Sequence, residues 1–153
     1  MHIIISTIGK LKKNSSEFDL INGYLKRLKW PVDIKEYEEK KSLTGDDLKN
    51  AEGALLLSGV PEKAKVIVLD EHGKTLSSRE FANQLQVWQN NSVATVAFLI
   101  GGADGHGDNV KKRADLTLSF GRMTLPHFLM RVVLVEQIYR ASTILDGHPY
   151  HRD

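Results

Sequence analysis

A chain of 153 residues with 41% hydrophobic and 26% charged side chains has the balance of an ordinary folded domain, so disorder is not the default reading and there is room for one substantial core. A formal net charge of +2 does not by itself argue for a nucleic-acid partner, and the lack of cysteine excludes disulfides, thiolate metal sites and a thiol nucleophile. No apolar run approaches the ~18 residues of a membrane span, and Lys10, Lys12 and Lys13 follow the first apolar run instead of preceding it, so a cytoplasmic protein with no membrane partner is expected.

The run Ile3 to Ile8, β-branched and closed by Gly9, predicts a buried strand. Asn14 or Ser15 caps a helix reaching about Lys29, with Phe18, Ile21, Leu25 and Leu28 on one face, and Trp30-Pro31 stops it. Val32 to Tyr37 alternates as a strand with one exposed face, and the charged stretch Glu38 to Thr44 loops out. A helix runs from Gly45 to about Ser58, ended by Gly59 and Pro61. Lys65 to Asp70 is a strand, and Ser77 with Glu80 opens a helix to about Asn90. Val93 to Ile100 is the most continuous apolar strand, followed by a short helix at Val110 to Ala114 and a last strand at Leu116 to Phe120. A helix from His127 to about Leu145 is apolar on nearly every side, which requires cover from more than one direction. A second subunit is one source of that cover and a central position in a monomer's core is the other; twofold dimers are the commonest oligomers. Alternating strands and helices imply an α/β fold, a single domain over 1–153, with a mostly parallel sheet and helices on both faces.

Three clusters carry candidate chemistry. The first, Gly101-Gly102-Ala103-Asp104-Gly105-His106-Gly107, follows the strongest strand. Four glycines in seven residues allow a sharp turn and close approach to a ligand, and ligands of open parallel sheets bind beyond the strands' carboxyl ends. No Gly-Lys-Ser/Thr follows, so it is no phosphate-binding P-loop, and G-x-G-x-x-G does not fit. A plain glycine turn is the alternative. The second, Phe120-Gly121-Arg122-Met123-Thr124-Leu125-Pro126-His127, again joins a strand to a helix. Its main chain suits the edge of an adenine, or it is an ordinary connection with a helix-starting proline. The third is the tail, His148-Pro149-Tyr150-His151-Arg152-Asp153, rich in groups that stack on bases and pair with phosphate; a frayed end is the alternative. His148-x-x-His151 lacks a third metal ligand, so no metal is expected. Glu136 and Arg140 are spaced for a helical ion pair.

Together these segments resemble the RlmH family, single-domain SPOUT methyltransferases that act on large-subunit ribosomal RNA. The likeness spans the chain: Ile-Gly-Lys-Leu-Lys at 8–12, Val-Ile-Val-Leu-Asp at 66–70, Leu-Ile-Gly-Gly-Ala-Asp-Gly at 99–105, Met-Thr-Leu-Pro-His at 123–127, Arg-Val-Val-Leu-Val-Glu-Gln-Ile-Tyr-Arg-Ala at 131–141 and the ending His-Pro-Tyr-His-Arg. The flanking Ala103-Asp104 and His106-Gly107 depart from a fixed pattern, since relatives vary there. The resemblance implies a C-terminal trefoil knot, a homodimer, and S-adenosylmethionine held by Leu69, Gly101 and the run Phe120, Gly121, Arg122, Met123, Thr124 and Leu125, with Gly102 and Gly105 shaping the same wall. It implies methylation of N3 of a pseudouridine in 23S rRNA within the assembled ribosome. Arg140, Tyr150, His151 and Arg152 are then the candidate catalytic residues, with His151 as a possible proton acceptor and the tail of one subunit closing the other's cleft. A SPOUT enzyme acting on transfer RNA, a non-catalytic ribosome-binding factor and a nucleotide-binding protein are the rival readings.

Overall fold

The structure is a computed structural model that describes residues 1–152. Five strands form one all-parallel sheet in the order β2-β1-β4-β3-β5: β1 (His2–Ile8), β2 (Val32–Tyr37), β3 (Lys65–Thr75), β4 (Thr95–Ile100) and β5 (Leu116–Ser119). The helices are α1 (Ser16–Leu25), α2 (Gly45–Ser58), α3 (Ser78–Asn90), α4 (Asp108–Arg113) and α5 (His127–Leu145).

The period-2 alternation of strand side chains divides the core between the two sheet faces. Ile3, Ile5, Ile67, Val96, Phe98 and Ile100 point to the face covered by α1, α3 and α5. Ile4, Val66, Val68, Ala97 and Leu99 point to the other, where Leu56 of α2 and Val110 of α4 meet them. Burial on both faces explains why these strands read as continuous apolar runs. β2 lies at the edge and exposes Asp33 and Ile34. Ser77 and Glu80 form a complete capping box at the start of α3.

Several boundaries differ from expectation. The first helix ends at Leu25, not Lys29; Leu28 N–H bonds to the Tyr24 and Leu25 carbonyls in a tightened turn that lets the chain extend into Pro31. α4 begins at Asp108, earlier than Val110, because Gly107 at its N-cap is extended, whereas β4 starts at Thr95 and β5 stops at Ser119. The largest departure is β3, expected to end at Asp70. It pairs with β5 through Leu69, bulges over 70–73, and pairs again through Lys74 and Thr75. The polar residues of a bulge carry no strand signal; the extension is imposed by β5 alongside.

Helix α5 lies against α1 and α3 on one sheet face. Val132, Leu134, Val135, Ile138, Tyr139 and Ala141 are buried within the protomer, while Phe128 and Leu129 in its first turn are exposed. Most of its apolar surface is therefore covered internally. No helix among the described residues is long and apolar enough to cross a membrane.

Candidate functional site

The carboxyl ends of the three adjacent strands β4, β3 and β5 deliver three segments to one place: the glycine loop after β4, the bulge of β3 and the bend between β5 and α5. They enclose an open cleft of about 460 Å³, within the range of small-molecule sites. Leu69, Gly101, Gly102, Gly105, Phe120, Gly121, Met123, Thr124 and Leu125 all line it. Of the residues expected to hold a cofactor, Arg122 alone does not; the left-handed Gly121 beside it (φ +122°) redirects the chain there.

Local interactions hold the bends. Gly105, left-handed at φ +81°, closes a turn by donating its N–H to the Gly102 carbonyl at 3.1 Å. The Gly121 N–H donates to Ser119 Oγ at 3.1 Å, and that hydroxyl donates to the Gly121 carbonyl at 3.0 Å. Gly102 is needed for a different reason: a Cβ there would lie 2.6 Å from Oε2 of Glu52 on α2. Glu52 is 9% exposed with Oε2 unpartnered. Burial first, then the charge of Asp104, pushes its carboxyl above the ordinary value, although the Gly102 amide opposes this. Around the cleft, Asp70, Glu71 and Asp104 supply negative charge, Lys49 and Lys111 positive charge, and Ile100, Leu118 and Met130 apolar wall.

A second cluster forms where the tail folds back on α5. Glu136 Oε1 accepts from Arg140 Nε at 3.0 Å, from Arg140 Nη2 at 2.6 Å and from the Tyr150 hydroxyl at 3.0 Å. The Tyr150 ring packs edge-on against Tyr139, with centroids 4.8 Å apart, and lies under the Arg140 guanidinium at 4.7 Å. Burial, then bonding to Tyr24 and Glu136, raises the Tyr150 phenol well above its ordinary value and keeps it protonated. Arg140 donates from Nη1 to His151 Nδ1 at 3.2 Å. A guanidinium only donates, so the neutral ring carries its proton on Nε2. The Nδ1 lone pair of His151 is thus engaged by Arg140. Arg152 is exposed, and Asp153 lies outside the described residues. The tail is thus held by specific bonds through Tyr150 and His151.

The structure therefore gathers most of the expected residues into two groups, with Arg122 and Arg152 in neither. None of Arg140, Tyr150, His151 and Arg152 lines the cleft, and Arg140 stands about 15 Å farther along α5 than Met130 at 1.5 Å per residue. The Glu136–Arg140 pair forms as its spacing predicted, but as the anchor of the tail. Glu52, His106 and Arg131 are buried polar residues that sequence reasoning did not assign. His106 sat in view inside the glycine cluster; Glu52 and Arg131 look like ordinary helix charges. His148 Nδ1 accepts from the Tyr150 N–H at 3.2 Å, and among the described residues no three His, Cys, Asp or Glu side chains converge as a metal site.

Comparison with known proteins is consistent across the chain. A family model described as predicted SPOUT methyltransferase matches residues 1–151. The chain is 53% identical over 152 residues, 99% of both chains, to a protein of Paramagnetospirillum magneticum named ribosomal RNA large subunit methyltransferase H. Proteins of the same name from Rhodospirillum centenum and Paracoccus denitrificans are 47% identical over 152 residues (99% of both chains) and 45% identical over 161 residues (100% of both chains).

Proposed function

Because the chain belongs to the SPOUT methyltransferase family, and within it groups with the ribosomal RNA large subunit methyltransferases H, we propose that it methylates N3 of a pseudouridine in 23S rRNA on the assembled ribosome, using S-adenosylmethionine. The observation that carries this reading is the convergence of Leu69, the glycine loop and the run Phe120 to Leu125 on one cleft.

The donor set fits that cofactor. Main chain without Cβ atoms at Gly101 and Gly102 and the apolar walls of Ile100, Leu118 and Phe120 suit the flat adenine of an adenosine. Carboxylates and lysines at the same cleft suit a ligand that carries an ammonium, a carboxylate and a sulfonium together. When bound, S-adenosylmethionine supplies an electrophilic methyl group. Leu69, Gly101, Gly102, Gly105 and the bend Phe120, Gly121, Met123, Thr124 and Leu125 would hold it, with Arg122 outside the cleft lining. The trefoil knot belongs to the same reading, formed by the segments around the cleft as the chain passes from β5 at one sheet edge to α5 between α1 and α3.

The tail supplies the other half. An imide nitrogen reacts as its anion, so the protein must favour negative charge on the base. Arg152, which is exposed, does so electrostatically; Arg140, paired with Glu136, orients His151, which donates from Nε2 to a base oxygen; and Tyr150, its hydroxyl bound to Glu136, offers its neutral ring to the base. The proton leaves to solvent. Since the tail lies away from its own cleft, the site is completed by a second copy, a twofold homodimer in which Met123, Phe128 and Leu129, exposed near the cleft mouth, become covered.

His151→Ala and Arg152→Ala should lose methylation of ribosomes while binding S-adenosylmethionine normally. Mixing Arg152→Ala with a cleft-dead Gly102→Trp chain tests the shared site. Random pairing makes half the dimers mixed, each with one intact site, so activity should return to about a quarter of wild type. Normal turnover by both tail variants, or no recovery on mixing, would contradict the mechanism. Mass mapping of 23S rRNA from cells with and without the gene tests the target, and an unchanged 23S rRNA with altered transfer RNA would replace it.

A further inference from the structure

Behind the glycine loop lies a side chain that neither the cofactor residues nor the tail cluster account for. His106 is 6% exposed and forms part of the cleft wall. Its Nε2 is 3.0 Å from the main-chain oxygen of Leu69. A carbonyl oxygen only accepts, so Nε2 bears the proton and donates. Nδ1 is buried with no hydrogen-bond partner; a proton there would be an orphaned buried donor, so the ring is neutral with its lone pair on Nδ1. The same edge of the ring faces Gly101, where a Cβ would come within 3.0 Å of Cε1 and 3.2 Å of Nδ1. The paired strands β3 and β4 separate just beyond Leu69 and Ile100, and the one imidazole spans that separation.

We propose that His106 is a positioning residue for the methyl donor: its hydrogen bond to Leu69 and its packing over Gly101 fix the distance between the two strand ends that form the donor's walls. The proposal rests on the reading of the cleft as the S-adenosylmethionine site. His106 touches no reacting atom. Burial first holds the imidazole below its ordinary pKa, and Lys111 adds to this, while the bond to Leu69 and the charge of Asp70 oppose it. The neutral form that the clamp requires is the one present at pH 7.

The test uses His106→Gln, whose amide nitrogen can replace Nε2 as the donor, and His106→Leu, which keeps bulk and loses the donor. S-adenosylmethionine affinity is read by calorimetry, unliganded melting by circular dichroism, and the wild-type tautomer by nitrogen-15 NMR of the histidine rings. Expected are a rise in Kd of roughly tenfold for His106→Leu, the worth of one lost hydrogen bond, and near wild-type affinity for His106→Gln. Both unliganded variants should melt within a few degrees of wild type, and a neutral Nε2–H ring should be seen for His106. Wild-type affinity in His106→Leu, equal loss in both variants, or a charged or Nδ1–H ring at pH 7 would overturn the clamp alone. A wild-type protein that binds no S-adenosylmethionine, while still showing the Nε2–H ring, would overturn the cofactor reading and the role of His106 with it.

Discussion

Arg131 stands at the start of α5, one residue beyond Met130 of the cleft wall, and is 2% exposed. Its guanidinium donates to Glu36 Oε1 at 2.7 Å and to the carbonyls of Ile8 and Gly9 at 2.9 and 2.7 Å. It therefore ties α5 to the ends of β1 and β2. Arg131→Met keeps the buried hydrocarbon and removes the charge and all three bonds. Breaking one side of a buried pair costs roughly 3–5 kcal/mol. The Glu36 side chain is 30% exposed and can regain water, which places the loss near the low end, about 3 kcal/mol. Glu36→Gln retains an oxygen for Arg131 and for the Leu11 N–H, 2.8 Å away, and loses only the countercharge, so about 1–2 kcal/mol is expected. In the double variant no guanidinium remains to be neutralised, and its loss should equal that of Arg131→Met within about 0.5 kcal/mol. Guanidinium chloride unfolding at one fixed protomer concentration measures all three, and the melting temperature of Arg131→Met should fall by roughly 6–12 °C. A loss under about 1 kcal/mol for Arg131→Met, or additive losses in the double variant, would refute the buried-pair account.

Gly73 lies in the β3 bulge, where a Cβ would come within 2.7 Å of the Leu118 main-chain carbon and 2.8 Å of its nitrogen. Gly73→Ala should cost about 2–3 kcal/mol by forcing β3 from β5, and should weaken S-adenosylmethionine binding in calorimetry; an unchanged melting curve would contradict this. Burial raises the Glu52 carboxyl, so the stability it contributes is full below its ordinary 4.5 and is lost as pH rises through the native value. Glu52→Gln should therefore melt above wild type at pH 8, with the gap closing below pH 4.5; a gap that does not narrow on acidification argues against the raised pKa. Asp115 has the opposite sign. Burial alone would raise it, but the bonds from Lys65 at 2.7 Å and the Val66 N–H at 2.8 Å, with Arg113 at 3.2 Å, hold it below its ordinary 3.8. The stability it contributes is present above 3.8 and disappears as pH falls through the lower native value. Asp115→Asn should thus lower the melting temperature at pH 7, and the difference should shrink below about pH 3.8 in a melting series.

What the sequence reveals depends on whether a residue's role is local. The β-branched runs of β1 and β4 and the Ser77–Glu80 box declare themselves because each is a pattern a few residues long. The cleft loops are visible for the same reason: glycines or a proline stand between a strand and a helix. The second half of β3 is invisible, since Asp70 to Thr75 has turn-like polarity and becomes strand only because β5 lies beside it. Arg131 and Glu52 are misleading in the same way. Each looks like a solvated helix charge, and each is buried by a segment far away in the chain, β1–β2 for one and the glycine loop for the other. The tail's anchorage needs Tyr24, Glu136 and Tyr139 at once, a meeting that no window of sequence contains.

Helix α5 is what relates the two halves of the proposed site. Its first residue borders the cleft and its last turns carry the tail through the His148 N–H to Thr143 carbonyl bond and the Tyr150–Glu136 bond, so the helix acts as a spacer that keeps a protomer's own tail from its own cleft. A rigid spacer of this kind is a poor design for a monomeric enzyme and a natural one for a twofold pair, because one symmetric contact then completes both sites at once. The internal anchoring of the tail fits that demand. Arg140, Tyr150 and His151 are ordered by Glu136 and Tyr139 of their own chain, so docking of the proposed second copy would not carry the entropy cost of folding a loose end. In the proposed twofold pair, preorganisation in one chain and completion by the other would place the geometry of the tail residues under the control of α5, and hence of the Arg131 anchor near its start.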